Sequence, residues 1–271
     1  MTANLDSERF RSRAEKYAAY LETAEGRLRL DLAFANVQQF LPQAAPSLRA
    51  LDLGCGTGTM GVRLAGLGVQ VTLLDSSAQM LELAERAAKE AGVIENIALK
   101  HVDVADLSNV FQAGSFEVIL CHNVLEYVDD PIAVLHSMAR LLRGPASILS
   151  VLARNKAGEV LKAAIVNGDL PAAEHSLAAD WGNESLYGGG VRLFAPEVLR
   201  AMLAAASLEV TAERGVRVVS DYLPSQVSRH DDYARIFELE RKLGMRPEFV
   251  AVARYTHCLA HRASPVLKDG A

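Results

Sequence analysis

The stretch Leu51-Asp52-Leu53-Gly54-Cys55-Gly56-Thr57-Gly58 decides the fold. A short apolar run over residues 48–53 follows Pro46 and Ser47 and ends in glycines at every second position. Such a run, bounded by turn signals, reads as a buried strand. The glycines let the backbone come close to a ligand and adopt conformations that a Cβ forbids. A helix is predicted next over 59–67, and its first turn offers unpaired N–H groups. Tight strand-to-helix turns also use glycine for packing, so the loop alone leaves both readings open.

Outward from this loop the pattern alternates. Strands are predicted over 69–75, 97–102, 116–121 and 146–152, with helices over 77–91 and from Asp130-Pro131 to about Arg143-Gly144-Pro145. Asp before Pro is a helix start, and Gly then Pro a stop. A helix over 196–206, strands over 208–219 and 250–259 and a helix over 228–243 complete the pattern. Two helices precede it. One carries Phe10, Ala14, Tyr17 and Leu21 at helical spacing; the other runs over 26–41 and is stopped by Pro42. The expected class is α/β, a mainly parallel, doubly wound sheet in one domain. Within it, 1–45 are N-terminal helices, 46–154 a cofactor half, 196–262 a substrate-side half and 263–271 a tail. The alternation breaks over 155–195, where 156–166 can be helical. That segment reads as a surface loop or as a lid or cap insertion.

Composition bounds the function. The chain has 271 residues, 50% hydrophobic and 23% charged, with a net charge of −5. Those values suit one large α/β domain, exclude strong disorder and count against a strongly basic nucleic-acid binder taken whole. Cys55, Cys121 and Cys258 form no CxxC pair, so no disulfide framework or metal site is expected. The polar N-terminus is not a signal peptide, and no run approaches the roughly 18 apolar residues of a membrane span. The expectation is a soluble cytoplasmic protein.

Asp75, 17 residues after Gly58, ends the second predicted strand. A carboxylate there can accept from both hydroxyls of an adenosine ribose; its alternative role is a helix cap, for which Ser76 and Ser77 also qualify. The glycine pattern is G-x-G-x-G, not the G-x-G-x-x-G that makes room for a dinucleotide pyrophosphate. This form looks like the S-adenosylmethionine site of Rossmann-like methyltransferases. Asp52 then orients the methionine end or stabilises the loop. Asp103 or Asp106 can accept from the adenine amine beside Val104 and Ala105. His122, after the fourth strand, contacts the cofactor, acts as a base or is a satisfied core histidine. The Asn/Asp-Pro-Pro-Tyr/Phe signature of amino-group methyltransferases is absent from Cys121 to Pro131, which argues against an amine acceptor.

Several segments together resemble the bacterial tRNA 5-carboxymethoxyuridine methyltransferase family. They are Gly26-Arg27-Leu28-Arg29, the glycine loop, Asp75 to Met80, and His122 to Pro131. To these are added Gly215-Val216-Arg217-Val218-Val219-Ser220-Asp221-Tyr222-Leu223, Glu238-Leu239-Glu240 and Arg254-Tyr255-Thr256-His257. The likeness runs from about residue 8 to 262 and is weakest over 165–195. It implies a seven-stranded Rossmann-like methyltransferase fold, S-adenosylmethionine as cofactor and the anticodon loop of tRNA as partner. Methyl transfer would then form an ester on the carboxylate of the wobble uridine. It also implies cofactor contacts from Arg29, Gly54, Cys55, Asp75, Val104, Ala105 and His122; apart from the resemblance, Gly56 of the loop and Ser76 beside Asp75 are expected at the same site. A carboxylate of pKa about 4 is already ionised at neutral pH and needs no base. A cation must hold it, and Arg217, Arg254 and Arg154 are the candidates, with Tyr222 or Tyr255 donating or stacking.

Two departures bear on the acceptor. The family's lysine-rich run is replaced by an acidic, Ala/Gly-rich stretch with Glu174, Asp180 and Glu184, and an expected histidine is Ser220. Against this, residues 214–262 carry nine Arg/Lys and six Asp/Glu, a local +3 that leaves −8 for the rest. A methyltransferase of a small-molecule carboxylate or hydroxyl is the alternative. A non-catalytic S-adenosylmethionine-binding protein and a nicotinamide oxidoreductase are the others, the last disfavoured by the glycine spacing.

Overall fold

The run at the centre of the sequence is a strand, β1 (Arg49–Leu53), with Ala50, Leu51 and Leu53 wholly buried. The structure is a computed structural model and describes residues 14–42, 48–183 and 188–263. Helices α1 (Ala14–Leu21) and α2 (Ala24–Gln38) precede β1. After it come α3 (Thr59–Ala65), β2 (Gln70–Asp75), α4 (Ala78–Glu90), β3 (Ile97–His101), the short α5 (Leu107–Val110), β4 (Val118–His122), α6 (Pro131–Leu141) and β5 (Ile148–Arg154). The C-terminal part holds α9 (Pro196–Ala205), β8 (Leu208–Val216), α10 (Tyr233–Leu243), the single turn α11 (Pro247–Val250) and β9 (Tyr255–Arg262). Phe10 and Glu184 lie outside the described residues.

The strands form one seven-stranded sheet in the order β3-β2-β1-β4-β5-β9-β8. β1 to β5 are parallel, and β9 runs antiparallel to both β5 and β8. Helices cover both faces, which is why the strands read as continuous apolar runs. On one face Leu51, Leu53, Ile119 and Val151 pack against Leu135 and Met138 of α6 and Leu199 and Leu203 of α9. On the other, Ala50, Val71, Leu73 and Leu120 meet Leu32 and Val37 of α2 and Leu64 of α3.

Three predicted boundaries are corrected, the first being the helix expected over 228–243, which starts only at Tyr233. The strand expected over 208–219 ends at Val216, because Arg217 takes a left-handed backbone (φ +61°) and turns the chain. Buried Glu240 fixes that turn by accepting the N–H groups of Val218, Val219 and Ser220. The strand expected over 250–259 begins only at Tyr255, since Pro247 starts a helical turn that includes Val250.

The segment over 155–195 contains α7 (Lys156–Leu161), a π turn over Lys162–Val166, α8 (Leu170–Ala178) and a hairpin of β6 (Trp181–Asn183) and β7 (Gly190–Arg192). Lys156 pairs with Asp180 at 2.9 Å, and Asn155 Nδ2 donates to the Ala251 carbonyl at 3.0 Å. Gly158 is required by a close approach: a Cβ there would meet the Ala253 carbonyl oxygen at 2.5 Å. Among the described residues, no helix is long and apolar enough to cross a membrane, and no group of His, Cys, Asp or Glu is placed to hold a metal ion.

Candidate active site

The carboxyl ends of β1, β2 and β4 open on one cavity of about 350 Å³, within the size range of small-molecule sites. The glycine loop forms its floor. Gly54, Gly56 and Gly58 all have positive φ (63°, 53° and 74°), a conformation that favours glycine. Packing demands glycine too: a Cβ on Gly54 would lie 2.6 Å from Val124 Cγ2, and one on Gly58 2.7 Å from Ala84 Cβ. The two readings of the loop therefore coexist, with Gly54 and Gly56 on the cavity wall and Gly58 packed behind it.

Asp75 lines the cavity from the end of β2. Its Oδ2 accepts the Gly56 N–H at 2.9 Å and its Oδ1 the Ser77 N–H at 2.8 Å. Burial raises its pKa against these hydrogen bonds. The helix cap is Ser77, whose side chain accepts from Met80 N–H, so Asp75 is not needed for capping. A carboxylate has about four lone-pair sites, so Asp75 keeps capacity for a ligand diol. Ser76, Val104 and Ala105 also line the cavity, as does Asp103, whose side chain accepts the Ala105 N–H at 2.9 Å. Asp106 does not line it, which separates the two acids that the sequence left equal.

A recess of about 40 Å³ adjoins the cavity, and Arg29, Asp52, Gly54, Cys55 and His122 line it. Asp52 does not line the large cavity. Its Oδ2 accepts the Gly61 N–H at 3.0 Å, and burial pushes its carboxyl up to about 7, with Asp75 adding to the rise. Arg29, 5% exposed, donates to Asn123 Oδ1 and to the Tyr17 hydroxyl, both at 3.0 Å. The rings of Tyr17, Tyr20 and Tyr255 surround its guanidinium at 5.3 to 5.8 Å. No carboxylate among the described residues lies within ion-pair distance of it. A guanidinium and an acid lining one recess suit the zwitterionic end of an amino acid. His122 lines both spaces; burial first, then Arg29, holds its pKa down at about 3, so the ring is neutral.

Asn123 and Glu126 belong to the site without having been singled out. Asn123 sits at φ +56°, bonds Arg29, and donates through Nδ2 to Glu126 Oε1 at 2.9 Å. Glu126 Oε1 also accepts the Arg154 N–H at 2.9 Å. The available signal was an asparagine just after a strand, where it tolerates left-handed backbone better than most residues.

The five acceptor-side candidates separate. Arg154 lines the large cavity, with NH1 on Glu159 at 3.3 Å. Arg217, the foremost candidate from sequence, does not. Its guanidinium is buried in an ion pair with Asp221 and donates to the Tyr20 hydroxyl at 2.9 Å. Arg254 is also turned inward, donating to the Gly158 carbonyl and Glu159 at 3.0 Å, with Nε 3.2 Å from Asp221. Tyr222 lines neither space; burial pushes its phenol up to about 12. Tyr255 lies among these groups. Burial raises its pKa, but Arg154, Arg29, Arg217 and Arg254 outweigh that and bring it to about 8.

A family described as a methyltransferase domain matches residues 45–186. The chain is 29% identical over 265 residues to the tRNA 5-carboxymethoxyuridine methyltransferase of Escherichia coli K12, covering 94% of this chain and 96% of that protein. It is 36% identical over 135 residues to a ubiquinone biosynthesis O-methyltransferase of Xanthomonas campestris, covering 49% and 53%. Among solved structures, the Burkholderia thailandensis 1,6-didemethyltoxoflavin-N1-methyltransferase with bound S-adenosylhomocysteine superposes with a TM-score of 0.60. That match has 16% identity and covers 97% of this chain and 88% of that one.

Proposed function

Since the chain belongs to the methyltransferase-domain family and is an S-adenosylmethionine-dependent methyltransferase, we propose that its acceptor is a carboxylate, that of 5-carboxymethoxyuridine at the tRNA wobble position. The observation that carries this reading is the placement of Arg154 on the wall that also bears Asp75, Asp103 and His122. The relation to the Escherichia coli enzyme over nearly the full length of both chains supports the nucleoside. The reaction would then take place in the cytoplasm, with the anticodon loop as partner.

In this reading the cofactor supplies an electrophilic methyl group on a sulfonium. When bound, it would be held by Asp75 at its ribose hydroxyls and by Asp103 and the 104–105 backbone at its adenine. Arg29 would hold its carboxylate and Asp52 its ammonium group, with Gly54 and Cys55 lining the recess between. Arg154 holds the acceptor carboxylate, which is ionised at neutral pH and attacks in line without a base. A His122 ring that stays neutral fits a reaction with no proton to remove. Tyr127, Val128 and Val134 on the cavity wall exclude water. Arg217 and Arg254 brace this arrangement from behind.

A small-molecule acceptor is the second reading, favoured by the acidic character of the 155–195 segment, where Glu174 and Asp180 are exposed. Incubation with labelled cofactor and tRNA from cells lacking the ester separates the two. Label that enters the RNA and is released by nuclease supports the tRNA reading. Label that never enters RNA, but enters a small-molecule carboxylate, overturns it.

A further inference from the structure

Four polar side chains form an unbroken line along one face of the sheet, from α2 over β9 and β5 to β4. Asn36 Nδ2 lies 3.2 Å from His257 Nδ1, His257 Nε2 lies 2.7 Å from Ser150 Oγ, and Ser150 Oγ lies 2.8 Å from His122 Nε2. The strand register makes the line possible. His122 on β4 and His257 on β9 are both opposite Leu152 of β5, and Ser150, two residues back, shares that residue's face. The two imidazole rings meet edge to face at 5.2 Å. Ser150 and His257 are wholly buried and Asn36 is 6% exposed, while only His122 of the four reaches the cavity and its recess.

The proton positions follow from one end. With the Asn36 amide oriented as here, Nδ2 toward the ring, the amide nitrogen donates and cannot accept, so His257 Nδ1 is the acceptor and carries no proton. Both rings are neutral, because burial, with Arg29 or the neighbouring ring adding to it, lowers both pKa values far below 6.5. His257 therefore has its proton on Nε2 and donates to Ser150 Oγ. The serine hydrogen is then left for His122 Nε2, which accepts it. The proton of His122 is on Nδ1, a nitrogen with no hydrogen-bond partner among the described residues.

We infer that Asn36, His257 and Ser150 are positioning residues that lock His122 in its Nδ1–H tautomer, so that it meets the cofactor as a hydrogen-bond donor and not as a base. The tautomer of a ligand-facing histidine is set by the bond that its other nitrogen makes. Here that bond is governed from α2, the helix that covers this face of the sheet. This inference concerns the cofactor side and holds whichever acceptor is used.

The test is nuclear magnetic resonance of the full chain with ¹⁵N-labelled histidine, read through long-range ¹H–¹⁵N couplings at pH 7, with and without S-adenosylhomocysteine. The expected spectrum shows both rings neutral, His122 protonated on Nδ1 and His257 on Nε2. Asn36→Asp keeps the shape but puts an acceptor at the end of the line. Every link should reverse, His122 should move to Nε2–H, and S-adenosylhomocysteine affinity should fall about tenfold. If that variant does not fold, Ser150→Ala cuts the line in the middle and should give mixed His122 tautomers with a similar loss. A charged or Nε2-protonated His122 in the wild type overturns the inference. So does an unchanged tautomer or unchanged affinity in the folded variant.

Discussion

Asp75→Asn tests the cofactor site with little change of shape. In the wild type the two carboxylate oxygens hold the Gly56 and Ser77 N–H groups at 2.9 and 2.8 Å. Asparagine keeps one oxygen and sets an NH2 group against the other N–H. The loop thus loses one charge-assisted hydrogen bond, and the ribose loses one ionised acceptor. Hydrogen bonds to charged groups contribute about 1.5–3 kcal/mol each. Loss of the ribose bond alone predicts a Kd for S-adenosylhomocysteine raised about 10- to 150-fold. Calorimetric titration at pH 7.5 measures it, with thermal unfolding as the control for the loop bond. The wild type should also lose affinity as pH falls, because burial has raised the Asp75 pKa and only the ionised form accepts from both hydroxyls. Asp75→Asn should lack that component. A folded Asp75→Asn protein that binds within twofold of wild type would refute the assignment.

Arg154→Gln should raise the acceptor KM while S-adenosylhomocysteine affinity changes little; steady-state kinetics with separate titration decides, and an unchanged KM removes Arg154 from the acceptor site. Arg217→Ala should act on stability instead, because Asp221 is left buried beside one fewer guanidinium. Breaking a buried pair from one side costs about 3–5 kcal/mol, so Tm should drop clearly, and an unchanged Tm with a raised acceptor KM would restore its sequence-based role. Glu240→Gln should lower stability by about 2 kcal/mol or more, since three consecutive N–H groups lose a charged acceptor; urea unfolding checks it. The fourth is a pH effect. His122 and His257 have folded pKa values below the unfolded 6.5, so their stabilising contribution is complete above that pH and is lost as pH falls. Asp52, raised to about 7, has the opposite slope between 3.8 and 7. His257→Gln should therefore flatten the acid limb by about 1.4 kcal/mol per pH unit below 6.5, measured as urea midpoints from pH 4 to 7.

The sheet and its helices were legible because both faces of the strands are buried and each strand ends at a turn signal. The ends of β8 and β9 were not, because Val218 and Val250 are apolar but belong to a turn and a helix that Glu240 and Pro247 impose. The places of Gly54 and Asp75 on the cavity wall were readable because they stand at fixed offsets from strand ends, whereas Asp103 and Asp106 could be told apart only by the cavity. Arg217 was misplaced for a physical reason. Its partner Asp221 is four residues on, yet the two meet across a tight turn that no local pattern announces. Asn123 and Glu126 were passed over because their partners are distant in sequence: Arg29 is 94 residues from Asn123, and the Arg154 N–H is 28 from Glu126. The Asn36–His257 contact spans 221 residues and has no sequence signature. The net charge of −5 conceals a similar division, with acids on the cavity wall and a buried group of arginines behind it.

The central claim is that a carboxylate on tRNA receives the methyl group. The direct measurement is mass spectrometry of nucleosides from ester-free tRNA after incubation with the protein and isotopically labelled S-adenosylmethionine. A labelled methyl ester of 5-carboxymethoxyuridine, lost on mild alkaline hydrolysis, is the expected product. Labelled methyl on a ring nitrogen or ribose oxygen, or ester-free nucleoside left unchanged by protein that binds the cofactor, would contradict it.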